Sequence, residues 1–113
     1  MFPSQLEFLR HILDECEFIN KLVKGRSKDE VISDPVNSRA VCRSLEIIGE
    51  ASKSVDQEMK TDHPQIEWKK MAGMRDRLIH DYIGVDYDIV WEVICDDIPN
   101  LTQEIAEILN HSK

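Results

Sequence analysis

The sequence predicts an all-α protein, a four- to five-helix bundle with an up-and-down core. Three observations lead there. Apolar residues recur at three- and four-residue steps through three long segments, the spacing of one helix face and not of a strand. Asp34-Pro35 and Asp86 supply helix starts where two of those segments begin. With 4 Pro, 4 Gly and few β-branched runs, the punctuation of an all-β chain is missing. At 113 residues the chain is expected to be a single helical domain over 1–113, because a unit of this size buries one core and not two.

In the first helix Leu6, Leu9, Leu13, Cys16 and Val23 recur in phase, and Phe8, Ile12 and Ile19 broaden the stripe. Ser4 after Pro3 can cap it and Gly25 can end it. Ser27 then caps a short helix over 27–33, in which Lys28, Asp29 and Glu30 precede Val31 and Ile32. The longest periodic segment runs from 35 to about 60, with Val41, Leu45, Ile48, Val55 and Met59 in phase and Ser52 filling the remaining place. Beside that stripe lies a second one, Ala40, Ile47 and Ala51. Two apolar faces are more than a small bundle needs, so one is free to meet a second subunit, with Gly49 allowing close approach. Burial of both stripes within one chain is the equal alternative.

Asp62-His63-Pro64 breaks the helix, because the residue before proline resists the α region. Ile66, Trp68 and Met71 form a short amphipathic turn in which Trp68 is a core anchor. A further helical segment is read over 71–82, with Gly73 as a bend. Gly84 ends it, and Asp86 caps a final helix carrying Val90, Ile94, Ile98, Leu101, Ile105 and Ile108. The apolar steps stay in phase across Pro99, so one helix kinked there is expected, with a break at Asp97 as the alternative. There are no repeats, low-complexity segments or linkers.

The 71–82 segment carries the chemistry. At about 100° per residue, Met71, Met74 and Leu78 form an apolar stripe, and Arg75 and Tyr82 fall almost on it, so two polar groups occupy positions where burial is expected. Asp76 and His80, spaced i and i+4, would line the adjoining side, where the carboxylate can orient the imidazole. Histidine titrates near neutral pH and can both take and give a proton, while the arginine fork stays charged and matches a phosphate. A His and Arg pair of this kind suits cleavage of a phosphodiester by an RNA 2′-hydroxyl, with His80 moving the proton and Arg75 stabilising the phosphoryl oxygens. Tyr82 could add a hydrogen bond or a base stack. The structural reading of the same residues is a satisfied helix histidine and an arginine paired with Asp76 or Glu46; spacing alone leaves both open.

Arg75, four residues, His80, one residue and Tyr82 resemble the Arg-x4-His-x-Tyr motif of the HepT toxins, members of the HEPN superfamily of helical ribonucleases. Arg43-Ser44-Leu45-Glu46-Ile47-Ile48-Gly49-Glu50-Ala51, His63-Pro64, Trp68, Met71-Ala72-Gly73-Met74-Arg75 and Tyr87-Asp88-Ile89-Val90-Trp91 resemble recurrent segments of that family, in the same order. The resemblance covers nearly the whole chain. It implies a HEPN-like bundle and the toxin of a type VII toxin-antitoxin pair, a metal-independent endoribonuclease with a composite site across a homodimer. It implies Arg75 and His80 as catalytic residues, supported by Asp76 and Tyr82, with no metal and no cofactor. The implied partner is a minimal nucleotidyltransferase antitoxin that transfers AMP to Tyr82, giving O-AMP-tyrosine. The rival class is a non-catalytic helical binding or regulatory subunit of such a nucleotidyltransferase.

A net charge of −8 argues against a broadly basic nucleic-acid binder, while leaving room for a small cationic cleft. Cys16, Cys42 and Cys95 are odd in number and widely spaced, and are read as free core thiols of a reducing compartment. His11, His63, His80 and His111 show no metal-ligand spacing. No basic N-terminal region precedes an apolar run, and no stretch approaches about 18 apolar residues, so a cytoplasmic protein without membrane contact is expected.

Overall fold

The computed structural model describes residues 3–80 and 84–111, without the side chains of Pro3, Ser4 and His80. Its core is the expected one of first, long and last helices. Helix α1 (Pro3–Val23) packs along both α3 (Pro35–Ser54) and α8 (Ile98–His111). The reason is the phase of their apolar residues: Leu9, Ile12, Cys16 and Ile19 of α1, Val41, Leu45 and Ile48 of α3, and Ile98 and Ile105 of α8 are all fully buried. Each such Leu or Ile side chain contributes about 1.5–3 kcal/mol by leaving water. A polar link crosses the α1–α8 contact: Asn20 Nδ2 donates to Thr102 Oγ1 at 3.0 Å, and the Thr102 hydroxyl donates to the Ile98 carbonyl at 2.6 Å.

Short elements begin where their caps stand. Helix α2 (Lys28–Ile32) has the full capping box, with Glu30 N–H donating to Ser27 Oγ and Ser27 N–H donating to Glu30 Oε1. Asp34 accepts from the Val36 and Asn37 amides ahead of α3, with Pro35 in its first turn. Ser4 is not a cap, since α1 already includes Pro3, which the first helical turn tolerates. The long segment does not run unbroken to 60. It stops at Val55, whose ψ of 135° is extended, and resumes as α4 (Gln57–Asp62) behind the N-cap Asp56. The break is held from outside: buried Gln5 accepts the Asp56 amide at 2.8 Å. Val55 and Met59 are both buried even so, which is why the periodicity alone reads as continuous.

Helix α5 (Trp68–Ala72) packs on α3. Trp68 is the core anchor expected, with its indole N–H donating to the His63 carbonyl at 2.9 Å. Gly49 serves this contact and not a second subunit: a Cβ there would lie 3.3 Å from the Met71 carbonyl oxygen and 3.4 Å from Met74 Cβ. The second stripe of α3 is divided in its fate. Ala51 is buried, whereas Ala40 and Ile47 are half-buried, Ile47 beside Phe8 in a groove between α1 and α3.

Helix α7 (Tyr87–Glu92) follows its cap Asp86 as expected, but the path to α8 is neither a simple kink nor a break. Residues Val93–Asp97 form one π-helical turn, in which the Ile98 amide donates to the Val93 carbonyl five residues back. Pro99 has no N–H for the Cys95 carbonyl, and its ring would crowd that oxygen, so the widened turn absorbs the conflict that proline creates in an α-helix.

Candidate functional site

The segment read as one helix over 71–82 is three elements. Helix α5 ends at Ala72, Gly73 forms the joint, and α6 (Met74–Leu78) is a single further turn. Ile79 is extended, with φ −107° and ψ 124°. Strand β1 (Ile79–His80) then pairs antiparallel with β2 (Gly84–Val85), Ile79 opposite Val85 and His80 opposite Gly84. The Asp86 amide adds a 2.7 Å bond to the Leu78 carbonyl, and Gly84 at φ +85° supplies the conformation that other residues resist.

This architecture corrects the wheel. Met71, Met74 and Leu78 are buried as predicted, but Arg75, at the edge of that stripe, is exposed. Asp76 is exposed beside it, and its i, i+4 relation to His80 does not hold, since His80 lies in a strand. The helix stops at Leu78, and the shared stripe of Arg75 and Tyr82 falls outside the described residues. The Tyr82 side chain, its accessibility at a helix end and the His80 imidazole lie outside the described residues. Arg75 has no ion pair with Asp76 or Glu46 among the described residues; Glu46 pairs with Arg43 at 3.5 Å.

Positive charge is concentrated here. In an acidic chain, residues 68–80 carry Lys69, Lys70, Arg75 and Arg77 against the single acid Asp76. A shallow groove of about 790 Å³ beside α5 is lined by Lys60, Lys69, Lys70, Gln57, Glu67, Trp68 and Ala72. Sequence reasoning missed the residues that hold the turn in place. Asp97, at the end of the π turn, accepts from Lys70 Nζ at 2.9 Å and from Arg77 at 3.3 Å.

The thiols offer no rival centre. Burial pushes Cys16 up to about 12, and burial likewise raises Cys42 and Cys95, so none is primed as a thiolate nucleophile. All three are free, but only Cys16 is a core residue; Cys95 is exposed on the outer side of the π turn. Among the described residues, no three His, Cys, Asp or Glu gather where they could hold a metal ion, and no helix is long and apolar enough to cross a membrane.

An all-α bundle is consistent with the HEPN-like fold that the resemblance implies. The family model for ribonuclease HepT-like proteins matches residues 12–108, and the chain belongs to that family of ribonucleases. A Caldanaerobacter subterraneus subsp. tengcongensis protein, provisionally named an RNase, is 51% identical over 94% of this chain and 95% of its own. A Thermococcus cleftensis protein named "Probable ribonuclease HepT" is 41% identical over 96% of this chain and 98% of its own. A Methanocaldococcus jannaschii protein, also provisionally named an RNase, is 40% identical over 90% and 84%. No solved structure matches the chain significantly.

Proposed function

We propose that the chain is the toxin of a type VII toxin-antitoxin pair, an endoribonuclease that cuts RNA by attack of a 2′-hydroxyl on the adjacent phosphate. The new bond joins the 2′-oxygen to phosphorus, the bond to the 5′-oxygen breaks, and the products are a 2′,3′-cyclic phosphate and a 5′-hydroxyl. His80 carries the proton from the attacking hydroxyl to the leaving oxygen, and Arg75 stabilises the charge gathering on the phosphoryl oxygens. Asp76 and Tyr82 support them. Because this chemistry uses only an imidazole and a guanidinium, cleavage is metal-independent.

The observation that carries this reading is the exposed Arg75, without an ion pair among the described residues and four residues before the strand pair that contains His80. The half-buried Ile47 and Ala40 support a homodimer, across which two copies of the turn would complete one site. The partner is a minimal nucleotidyltransferase antitoxin that transfers AMP to the Tyr82 hydroxyl, placing a phosphate where it competes with RNA for Arg75. Co-expression with that enzyme should add about 329 Da per AMP to the peptide containing Tyr82.

Cleavage of a defined RNA by the pure protein in EDTA decides the matter. His80→Ala should lose two or more decades of rate, roughly the effect of removing a general acid-base group. A substrate lacking the 2′-hydroxyl at the cut site should survive intact. If the pure wild type leaves RNA whole but binds the nucleotidyltransferase, the chain is the non-catalytic subunit to which its acidity also points.

A further inference from the structure

The turn that carries Arg75 is too short to stand alone. Helices α5 and α6 have five residues each, and Gly73 between them has φ −87° and ψ 10°, outside the helical region. One bonded turn fixes several dihedral angles for little return, so the angle between such pieces must be set by tertiary contacts. Met71, Met74 and Leu78 supply apolar ones, which resist separation but give little control over rotation. The directional contacts come from Asp97.

Asp97 is 14% exposed and takes one cation from each side of the Gly73 joint: Lys70 of α5 on Oδ1 and Arg77 of α6 on Oδ2. The two lysine and arginine side chains are 34% and 29% exposed, so the cluster is partly shielded from water. Charge-assisted bonds of this kind are the stronger and more directional ones. The carboxylate itself stands where it does because the π turn ahead of Pro99 re-aims the end of Val93–Asp97. The Arg77 amide bonds Gly73 and the Leu78 carbonyl receives Asp86, so a rotation of α6 would be passed directly into the hairpin.

We propose that Asp97 is a positioning residue of the ribonuclease site: by holding Lys70 and Arg77 together it fixes the α5–α6 angle, and so the relation of Arg75 to His80. The clamp also divides labour between neighbouring arginines. Arg77 is committed to the fold, and Arg75, two residues earlier on another face of the turn, is left for the phosphate. This inference rests on the ribonuclease reading, and its test separates the two.

Asp97→Asn keeps the shape of the side chain and removes its charge. Amide exchange by NMR on wild type and variant should show the Arg77, Ile79 and Asp86 amides exchanging faster in the variant, with those of Leu45 and Ile105 unchanged. In RNA cleavage kcat should fall about tenfold to a hundredfold with KM nearly constant, the expected penalty for misplaced groups. Arg77→Gln should reproduce both effects, and the double variant should be no worse than either single one. Unchanged exchange at those three amides overturns the clamp. Faster exchange with wild-type kcat overturns the positioning role and leaves a structural ion pair. A wild type that cuts no RNA overturns the ribonuclease reading and the catalytic consequence together, while exchange still decides whether the clamp orders the turn. Should Asp97→Asn fail to fold, Lys70→Gln and Arg77→Gln, at partly exposed positions, carry the same comparison.

Discussion

Replacing Gly49 by alanine sets two known effects against each other at the contact that supports the site. In a helix interior the change should stabilise by about 1 kcal/mol, since glycine is the poorer helix former. Against that, the added Cβ would stand 3.3 Å from the Met71 carbonyl oxygen and 3.4 Å from Met74 Cβ. Neither neighbour is the loose end of a side chain. The carbonyl belongs to α5, which is anchored by buried Trp68 and its 2.9 Å bond to the His63 carbonyl. Overpacking of this kind costs about 1–3 kcal/mol, so the clash outweighs the propensity gain and the net loss should be about 1 kcal/mol. For a chain of this size that lowers the melting temperature by about 5 °C. Urea unfolding followed by far-ultraviolet circular dichroism measures it. A Gly49→Ala protein as stable as the wild type, or more so, would show that α5 can retreat from α3 freely and that the glycine is not there for this approach.

Asp56→Ala removes the acceptor of the Met59 amide at 2.9 Å and should cost about 1 kcal/mol in urea unfolding; no loss would mean that Gln5 alone secures the break. Glu104 is raised above the ordinary carboxylate range by burial first, then by Glu67 and Glu107. A raised acid pKa in the folded state means that the charged form is disfavoured there, so Glu104→Gln should gain stability at neutral pH and lose that gain as the pH falls through the carboxylate range. Melting curves at pH 7 and pH 4 read the sign, and an advantage that grows in acid would refute the assignment. Sedimentation of the untagged protein at micromolar concentration should show a homodimer; a fully active monomer would end the idea of a shared site.

Sequence periodicity was a good guide wherever a helix is long enough to impose its own phase. The main stripes of α3 and α8 are buried as read, in α1 the buried line is Leu9, Ile12, Cys16 and Ile19 with Leu6, Leu13 and Val23 half-buried at its edge, and the caps Ser27, Asp34 and Asp86 do what their side chains allow. It failed at joints. Leu78 keeps a helical spacing with Met74, yet the chain turns extended one residue later, and the signal for that was β-branched Ile79 and Val85 bracketing a glycine that needs a positive φ. The steps of four from Val90 to Ile94 to Ile98 hinted at a wider turn, but they are equally those of an ordinary helix. Lys70, Arg77 and Asp97 could not be found from one sequence at all. Their meeting, across sequence separations of 20 and 27, depends on where the chain between them places the π turn, and no local rule specifies that.

The Asn20–Thr102 bond bears on a different question, that of uniqueness. The facing surfaces of α1 and α8 are mostly leucine and isoleucine, and such surfaces are nearly indifferent to a slip of one helical turn, about 5.4 Å. The amide is not indifferent. Slipped by a turn, half-buried Asn20 would lose Thr102, and an unmet polar group of that kind costs about 1–3 kcal/mol. The pair thus contributes little to net stability and much to discrimination between registers, in the way that one polar residue sets alignment in a coiled coil. A leucine at position 20 would leave a protein that melts near the wild-type temperature while admitting misaligned pairings, including α8 of one copy against α1 of another.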